Sequence, residues 1–255
     1  MPAPTSQDIL VIDVGATSIK SSVINSEGER IQPIRKRKTL RPISPARLLA
    51  VLMERIALDN PERVVVGLPV ECRNGVAVDS GNLARRAISN SELDTTIEGE
   101  WRSFPFEEEL RSLSGREVVV LNDATLAALG CIAGNGNELV LALGTGFGVA
   151  LVVDGIIKDV EDRGNLAYKE GSYDSLLGEG ARRRDETLWR ENLVEAVSRL
   201  GTEYEVSKVW LVGGNAKRLK PSDLGGLRFP LHIAGNDAPF QGAAKVFTTP
   251  KAIGR

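Results

Sequence analysis

At 255 residues, with 42% hydrophobic and 26% charged side chains, the chain can hold one large or two modest domains, each with its own core. A formal net charge of −2 excludes a broad nucleic-acid or anionic-membrane surface. Two distant cysteines, Cys72 and Cys131, and the single His232 cannot make a zinc site or a disulfide framework. No stretch is apolar enough to cross a membrane, and Met1-Pro-Ala-Pro-Thr-Ser-Gln-Asp8 lacks the basic start and apolar centre of a secretory signal, so a cytoplasmic protein is expected.

In chain order, residues 9 to 38 read as three strands, with turns near Gly15 and at Ser26-Glu-Gly28. The run Arg35-Lys-Arg-Lys38 could attract phosphate backbones; lying between a strand and a Pro-marked turn, it reads as a solvated edge. Ser44-Pro45 supplies an N-cap and a proline for the first helical position, followed by Leu48, Leu49, Leu52, Met53 and Ile56 on one face. Arg63 to Leu68 is a buried strand, Asn74-Gly75 a turn, and Ser80 to Trp101 reads as a long polar loop. Phe106 to Leu113 reads as helix, Glu117 to Leu121 as strand, and Asn122-Asp123 introduces a helix over Ala124 to Ala133. Strands are expected at about 138–143, 147–153 and 156–160, then a helix around Ala181 to Leu200 with Leu188, Leu193 and Val197 inward. Arg182-Arg-Arg184 is expected to begin its charged face. The strand Val209–Val212, the turn Gly213-Gly214, a short strand near Leu231 with His232 packed in it, and a helix from Phe240 close the chain. Strand, strand, strand, helix, strand, helix, given twice, is a mixed-sheet α/β layout with a boundary near residue 120, residues 1–120 and 121–255 forming the halves.

The repeat is sharpest at two places. Val140-Leu-Ala-Leu-Gly-Thr-Gly-Phe-Gly148 and Ile9-Leu-Val-Ile-Asp-Val-Gly-Ala-Thr-Ser-Ile-Lys20 are both apolar strand, small-residue turn with a threonine, then strand. Turns that strip side chains from consecutive amides and add a hydroxyl suit an anion. Asp13 could hold a hydrated magnesium or merely cap its turn. Asp123 could be the helix N-cap, or a base that takes a proton from a hydroxyl attacking a phosphoryl group. Gly213-Gly214 could let a flat nucleotide base lie against backbone. Each of these stretches falls where a strand ends, which is where α/β folds gather ligands.

Together the residues Asp13-Val-Gly-Ala-Thr-Ser-Ile-Lys20, Leu121-Asn-Asp-Ala124, Leu143-Gly-Thr-Gly-Phe-Gly148, Leu211-Val-Gly-Gly214 and Gln241-Gly-Ala-Ala244 resemble the ROK family of sugar kinases and repressors, and within it the polyphosphate/ATP glucokinases. The resemblance runs from about Ile9 to Phe247. It implies a duplicated actin-like ATPase (ribonuclease H-like) fold, two half-domains around a central cleft. It further implies Asp123 as catalytic base, Asn122 on the sugar, and the donor's phosphates held by Gly15, Thr17 and Lys20 and by Gly144, Thr145 and Gly146. Gly213 and Gly214 would meet adenosine, Asp13 the magnesium. Ala181-Arg182, Arg184-Asp185 and Trp189 align with glucokinase counterparts without a gap.

The sugar side departs from the pattern. Asp162-Arg-Gly-Asn165 stands where these glucokinases carry Glu-Leu-Gly-His, and Asp174 where a further sugar-binding Glu is expected. The expected activity is phosphoryl transfer from ATP or polyphosphate, with magnesium, to a sugar or polyol lodged among Asn82, Asn122, Asp162, Asn165 and Asp174, glucose being disfavoured. A non-catalytic sugar sensor on the same fold is the alternative. Direct DNA binding is not expected, since only about eight residues precede the first strand. A homodimer stays open as an assembly.

Overall fold

The structure, a computed structural model, describes residues 7–86, 92–158, 160, 163–235 and 237–253. β1 (Ile9–Val14), β2 (Ser18–Ile24) and β3 (Arg35–Lys38) form an antiparallel meander. α1 (Pro45–Asp59) follows, its first turn capped by the Ser44 hydroxyl, which accepts from the Arg47 N–H at 3.3 Å. β4 (Arg63–Leu68) lies parallel to β1; the hairpin β5 (Cys72–Arg73) and β6 (Val76–Ala77), then α2 (Thr95–Trp101) and α3 (Phe106–Ser114), lead to β7 (Glu117–Asn122), parallel to β4. The sheet order is β3-β2-β1-β4-β7.

α4 (Asp123–Cys131) leads into the second round, where β8 (Asn137–Leu143), β9 (Phe147–Val153) and β10 (Ile156–Lys158) form another meander. The hairpin β11 (Ala167–Tyr168) and β12 (Gly171–Ser172) precedes α5 (Tyr173–Leu177), α6 (Glu179–Arg184) and α7 (Glu186–Glu203). β13 (Lys208–Val212) then pairs in parallel with β8, and β14 (Leu231–Ile233) with β13, giving the order β10-β9-β8-β13-β14 before α8 (Ala238–Thr248) ends the regular structure. The two sheets share one topology, so the duplication legible in the turns extends to the whole chain.

Alternation along the strands decides what each sheet face meets. Leu10, Ile12 and Val14 of β1 pack with α1 and α3 residues, while Ile9 and Val11 pack with Leu126, Leu129, Phe240 and Ala243 of α4 and α8. In the second sheet Leu139, Leu141 and Leu143 face α7, while Val140 faces Ala124, Ala127 and Ala128 of α4. α4 and α8 are therefore sandwiched between the sheets. They touch through glycines: a Cβ on Gly130 would lie 2.9 Å from the Gly242 nitrogen and closer still to the Ala238 carbonyl oxygen, and one on Gly242 would overlap the Leu126 carbonyl. The closing helix thus completes the core of the first sheet, although it comes last in the chain.

Several expectations are corrected. The stretch read as one loop from Ser80 to Trp101 contains α2, capped by Asp94, whose carboxylate accepts from the Ile97 N–H at 3.1 Å; residues 87–91 lie outside the described residues. Two threonines, an isoleucine and Gly99 are poor local helix formers, but burial of Trp101, stacked 5.7 Å from Phe106 and bonded to the Ile43 carbonyl, outweighs them. The helix expected over 181–200 is divided at Asp185 into α6 and α7, and Leu188 is 50% exposed, one position off the stripe Trp189, Leu193, Ala196, Val197, Leu200. Arg182-Arg-Arg184 ends α6 instead of beginning a helix, and Arg182 is buried. His232 is exposed, its ring stacked on Trp210 at 4.5 Å.

Gly242→Ala is expected to lower unfolding free energy by about 1–3 kcal/mol or more, as overpacking against helix backbone does. Gly99→Ala, which meets nothing within 4 Å in α2, should leave it unchanged or slightly raised. Urea denaturation of both variants checks the pair.

Candidate functional site

The first turn is built on a strand pair. Asp13 lies directly opposite Lys20, and Lys20 Nζ donates to Asp13 Oδ2 at 2.9 Å. The Gly15 N–H closes the turn onto the Ser18 carbonyl at 3.0 Å, and a Cβ on Gly15 would sit 3.0 Å from that oxygen. Thr39, just past β3, holds the turn twice: its N–H donates to the Thr17 carbonyl (3.1 Å) and its hydroxyl to the Gly15 carbonyl (2.7 Å). Thr17 is left exposed, with its hydroxyl 3.3 Å from that of Thr145. Two turns 128 residues apart in sequence meet through their threonines.

The second turn, Gly144-Thr145-Gly146, has its carbonyls tied back into the scaffold. Asn215 donates from its N–H to the Leu143 carbonyl (3.0 Å) and from Nδ2 to the Gly144 carbonyl (2.9 Å). The Glu179 N–H is shared between the Gly144 and Thr145 carbonyls at 3.1 and 3.2 Å. Arg182 Nε donates to Asn215 Oδ1 (3.1 Å) and to Glu179 Oε2 (3.0 Å), binding this brace together. Hydrogen bonds from Arg182, with Arg183 adding to them, hold the Glu179 carboxyl down at about 2. Gly213, at φ +94°, approaches so closely that a Cβ would lie 2.6 Å from the Leu143 carbonyl oxygen, while the Cβ positions of Gly144 and Gly214 meet nothing within 4 Å. Glu179, Arg182 and Asn215 were not singled out from sequence. Their contacts span up to 71 residues, and only the gapless Arg182 alignment hinted at one of them.

Asn122 and Asp123 divide the work at the start of α4. Asn122 is the N-cap: its Oδ1 accepts from the Ala124 and Thr125 N–H groups (2.9 and 3.2 Å), and its Nδ2 donates to the Val70 carbonyl (3.0 Å). The capping role open to Asp123 therefore falls to its neighbour. Asp123 occupies the first helical position, half-buried, with Oδ1 accepting from the Ala124 N–H at 2.8 Å, where the helix dipole favours negative charge. Gly67 of β4 is paired with Asp13, and its Cβ position lies 3.7 Å from Asp123 Cβ, so a glycine is all that stands between the two acidic residues. A cavity of about 120 Å³ opens between β7 and β9–β10, with Asn122, Thr125, Gly148 and Lys158 in its wall and neither Asp13 nor Asp123 lining it.

Asp174, at 7% exposure, is not an open carboxylate. Oδ1 accepts from the Phe147 N–H (2.6 Å) and Oδ2 from Asn82 Nδ2 (2.9 Å), while Gly146 and Gly164 press on it so closely that a Cβ on either would clash. Asn82 belongs to the first half of the chain, held by Gly81, whose φ of +48° and contact with the Pro69 carbonyl leave no room for a side chain. Asn165 is exposed beside Gly164, and Asp162 lies outside the described residues. Both cysteines are free, and burial pushes each thiol up, away from reactivity. Among the described residues no group of three or more His, Cys, Asp and Glu could hold a metal ion, and no helix is long and apolar enough to cross a membrane.

The sequence profile described as the ROK family matches residues 9–159, more than half of the chain. The chain belongs to the ROK family. A glucokinase of Halalkalibacterium halodurans is 28% identical over 156 residues, covering 57% of this chain and 44% of that protein, so the match spans less than half of the relative's length. Two solved structures agree over nearly the whole fold. The inorganic polyphosphate/ATP-glucomannokinase from Arthrobacter sp. strain KM has a TM-score of 0.77 at 24% identity, with 95% of this chain and 99% of that one covered. A ROK family glucokinase from Streptomyces griseus in complex with glucose and AMPPNP gives 0.71 at 15%, covering 94% and 98%. These likenesses establish the actin-like ATPase fold for this ROK protein.

Asp174→Ala strips the acceptor from two donors, the Phe147 N–H and Asn82 Nδ2. It should cost about 2–4 kcal/mol in chemical denaturation, with Asn82→Ala costing less because it breaks one of the two bonds and leaves only Asp174 Oδ2 without its donor.

Proposed function

We propose that this ROK protein is a carbohydrate kinase that moves a phosphoryl group from ATP or inorganic polyphosphate to a hydroxyl of a hexose or sugar-like polyol, with Asp123 as general base. The observation that carries this reading is the meeting of Thr17 and Thr145, hydroxyl to hydroxyl at 3.3 Å, where the two glycine turns face each other across the two sheets. Turns whose carbonyls are bonded backward into the scaffold turn their other edge to the cleft, the polarity an oxyanion needs. Gly213 and Gly214, backbone without side chains beside the second turn, leave a flat surface for a nucleoside. The structural relatives named above include a kinase named for both donors and a glucokinase with a nucleotide analogue, in keeping with such a site.

Asp123 rides on the first turn of a helix that Asn122 caps, so its position is set by backbone before any substrate arrives. In the proposed reaction its carboxylate takes the proton of the attacking hydroxyl, while Lys20 and the two turns hold the phosphates. Asn122, with both ends of its amide bonded within the protein, positions Asp123 more than it contacts sugar. Asp13 fits magnesium, which takes one or two carboxylates plus phosphate oxygens and water; there it would neutralise charge on the donor's phosphates. Closure over the acceptor would keep water from competing.

The acceptor is read as something other than glucose. Asp174 spends both oxygens on Phe147 and Asn82, so a carboxylate that a glucose-specific site would turn to a hydroxyl is engaged elsewhere. A site built to bond particular hydroxyls rejects those it cannot match, at about 1–3 kcal/mol for each buried group left unpaired.

Asp123→Asn should fold like the parent, since Asn122 caps the helix, and lose about 10²-fold or more in kcat. Unchanged turnover in a folded variant would remove Asp123 from its role. Magnesium-dependent turnover of ATP and of polyphosphate on glucose, mannose, N-acetylated hexosamines, fructose and inositols tests the function itself. Glucose should rank below another acceptor in kcat/KM; glucose first, at ordinary kinase efficiency, would overturn the acceptor reading, and no turnover on any would overturn the kinase.

A further inference from the structure

The basic run Arg35-Lys-Arg-Lys38 forms β3, all four residues exposed. Register pairs Lys38 with Ser18, Arg37 with Ile19, Lys36 with Lys20 and Arg35 with Ser21. Alternation therefore sorts the run onto two faces. Arg35 and Arg37 share the face of Ile19, which packs with α1, whereas Lys36 and Lys38 share the face of Asp13 and Lys20, on the side of the sheet where α8 packs.

Charge on the first face is paired in part, Arg35 having no ion-pair partner among the described residues, and on the second it is unpaired at both lysines. Arg37 Nη1 bonds Glu54 Oε2 at 2.6 Å, and Arg55 of α1 pairs with Asp59. On the other face Asp13 is already bonded to Lys20, and among the described residues neither Lys36 nor Lys38 has an ion-pair partner. Lys20 and Lys36 stand directly opposite, their Cβ atoms about 5 Å apart, a like-charge pair that destabilises the free sheet. That arrangement becomes favourable once an anion lies over it.

The row also starts at the right place. Lys38 is opposite Ser18 in the first turn, and Thr39 fastens the end of β3 to that turn. Asp123 follows β7, at the far edge of the same sheet, so crossing from β7 to β3 passes the base, then Asp13, then the first turn, then the lysines. β7 lies against β9–β10 across the cavity, whereas α8 begins beside Val212 and Ala234 at the β13–β14 side and runs on beneath β1 and β2. With a donor's nucleoside at Gly213 and Gly214, as proposed above, the lysine row would lie on the donor flank, beyond the terminal phosphate. The charge of a nucleoside triphosphate ends at its third phosphate and gives way to a neutral nucleoside; a linear polyphosphate stays charged at every unit.

We infer that Lys20, Lys36 and Lys38 form a track for an extended phosphate chain, which makes inorganic polyphosphate the donor that this chain is built to hold. The inference rests on the kinase reading above and deepens it.

The test compares the parent with Lys36→Gln/Lys38→Gln, and with Arg35→Gln/Arg37→Gln as the opposite-face control, after thermal unfolding shows each is folded. Substrates are ATP, sodium tripolyphosphate and a long-chain polyphosphate, with calorimetric binding of the long chain measured in the absence of acceptor. The lysine variant should lose about tenfold in long-chain binding and kcat/KM while ATP changes by about twofold or less, the arginine variant should lose neither, and the lysine effect should shrink in high salt. Equal losses for ATP and polyphosphate, undiminished long-chain binding by the lysine variant, or equally tight binding of a single-stranded oligonucleotide would overturn the track. Long-chain binding that depends on the lysines, with no phosphoryl transfer from any donor, would uphold the track and remove the kinase.

Discussion

The close crossing of α4 and α8 is the constraint on which the other parts depend. Two helices that must each serve both sheets can lie in one layer only if their backbones approach, and Gly130 and Gly242 supply the missing side chains at the point of contact. α4 carries Asp123 on its first turn, so the same crossing that joins the halves fixes the height of the carboxylate above the first sheet. α8 lies beneath the strands that bear Asp13 and Lys20, and so supports the other side of the cleft. Packing and chemistry share one pair of helices.

Around that layer, the cleft is set by polar contacts of long sequence separation. Asn215, Glu179 and Arg182 turn the carbonyls of the second glycine turn inward, and Thr39 does the same for the first. A flexible glycine turn has many conformations to lose on meeting an anion, and bonding its carbonyls in advance removes much of that cost. The two turns use different braces for one purpose, which is why the repeat is plain in the glycines and threonines and faint elsewhere.

That difference also marks what the sequence could reveal. β1 and β4 are legible as unbroken apolar runs because both their faces are buried, and α1 because Ser44 and Pro45 announce it and Leu48, Leu52 and Ile56 keep one face. The two turns are legible because their chemistry is local. α2 was hidden because several of its residues prefer other conformations and the burial of Trp101 against Phe106 and Ile43 outweighs them. Asp174 was placed at the sugar by the family resemblance, and its partners here, Asn82, 92 positions away, and the Phe147 amide, could not be read from the sequence. Contacts of that kind leave no periodic or spacing signal. The braces of the second turn were missed for the same reason.

The bond from Asn82 to Asp174 joins residues of the two halves of the chain. An acceptor that needed either of these side chains would bind only while that bond is broken, so the rate at which it breaks would set a ceiling on the rate of association. Below that ceiling, acceptors of quite different shape would enter at similar speed and part company only in how long they stay. Discrimination would then reside in dissociation and in the chemical step, and a tighter latch would slow every acceptor's arrival alike.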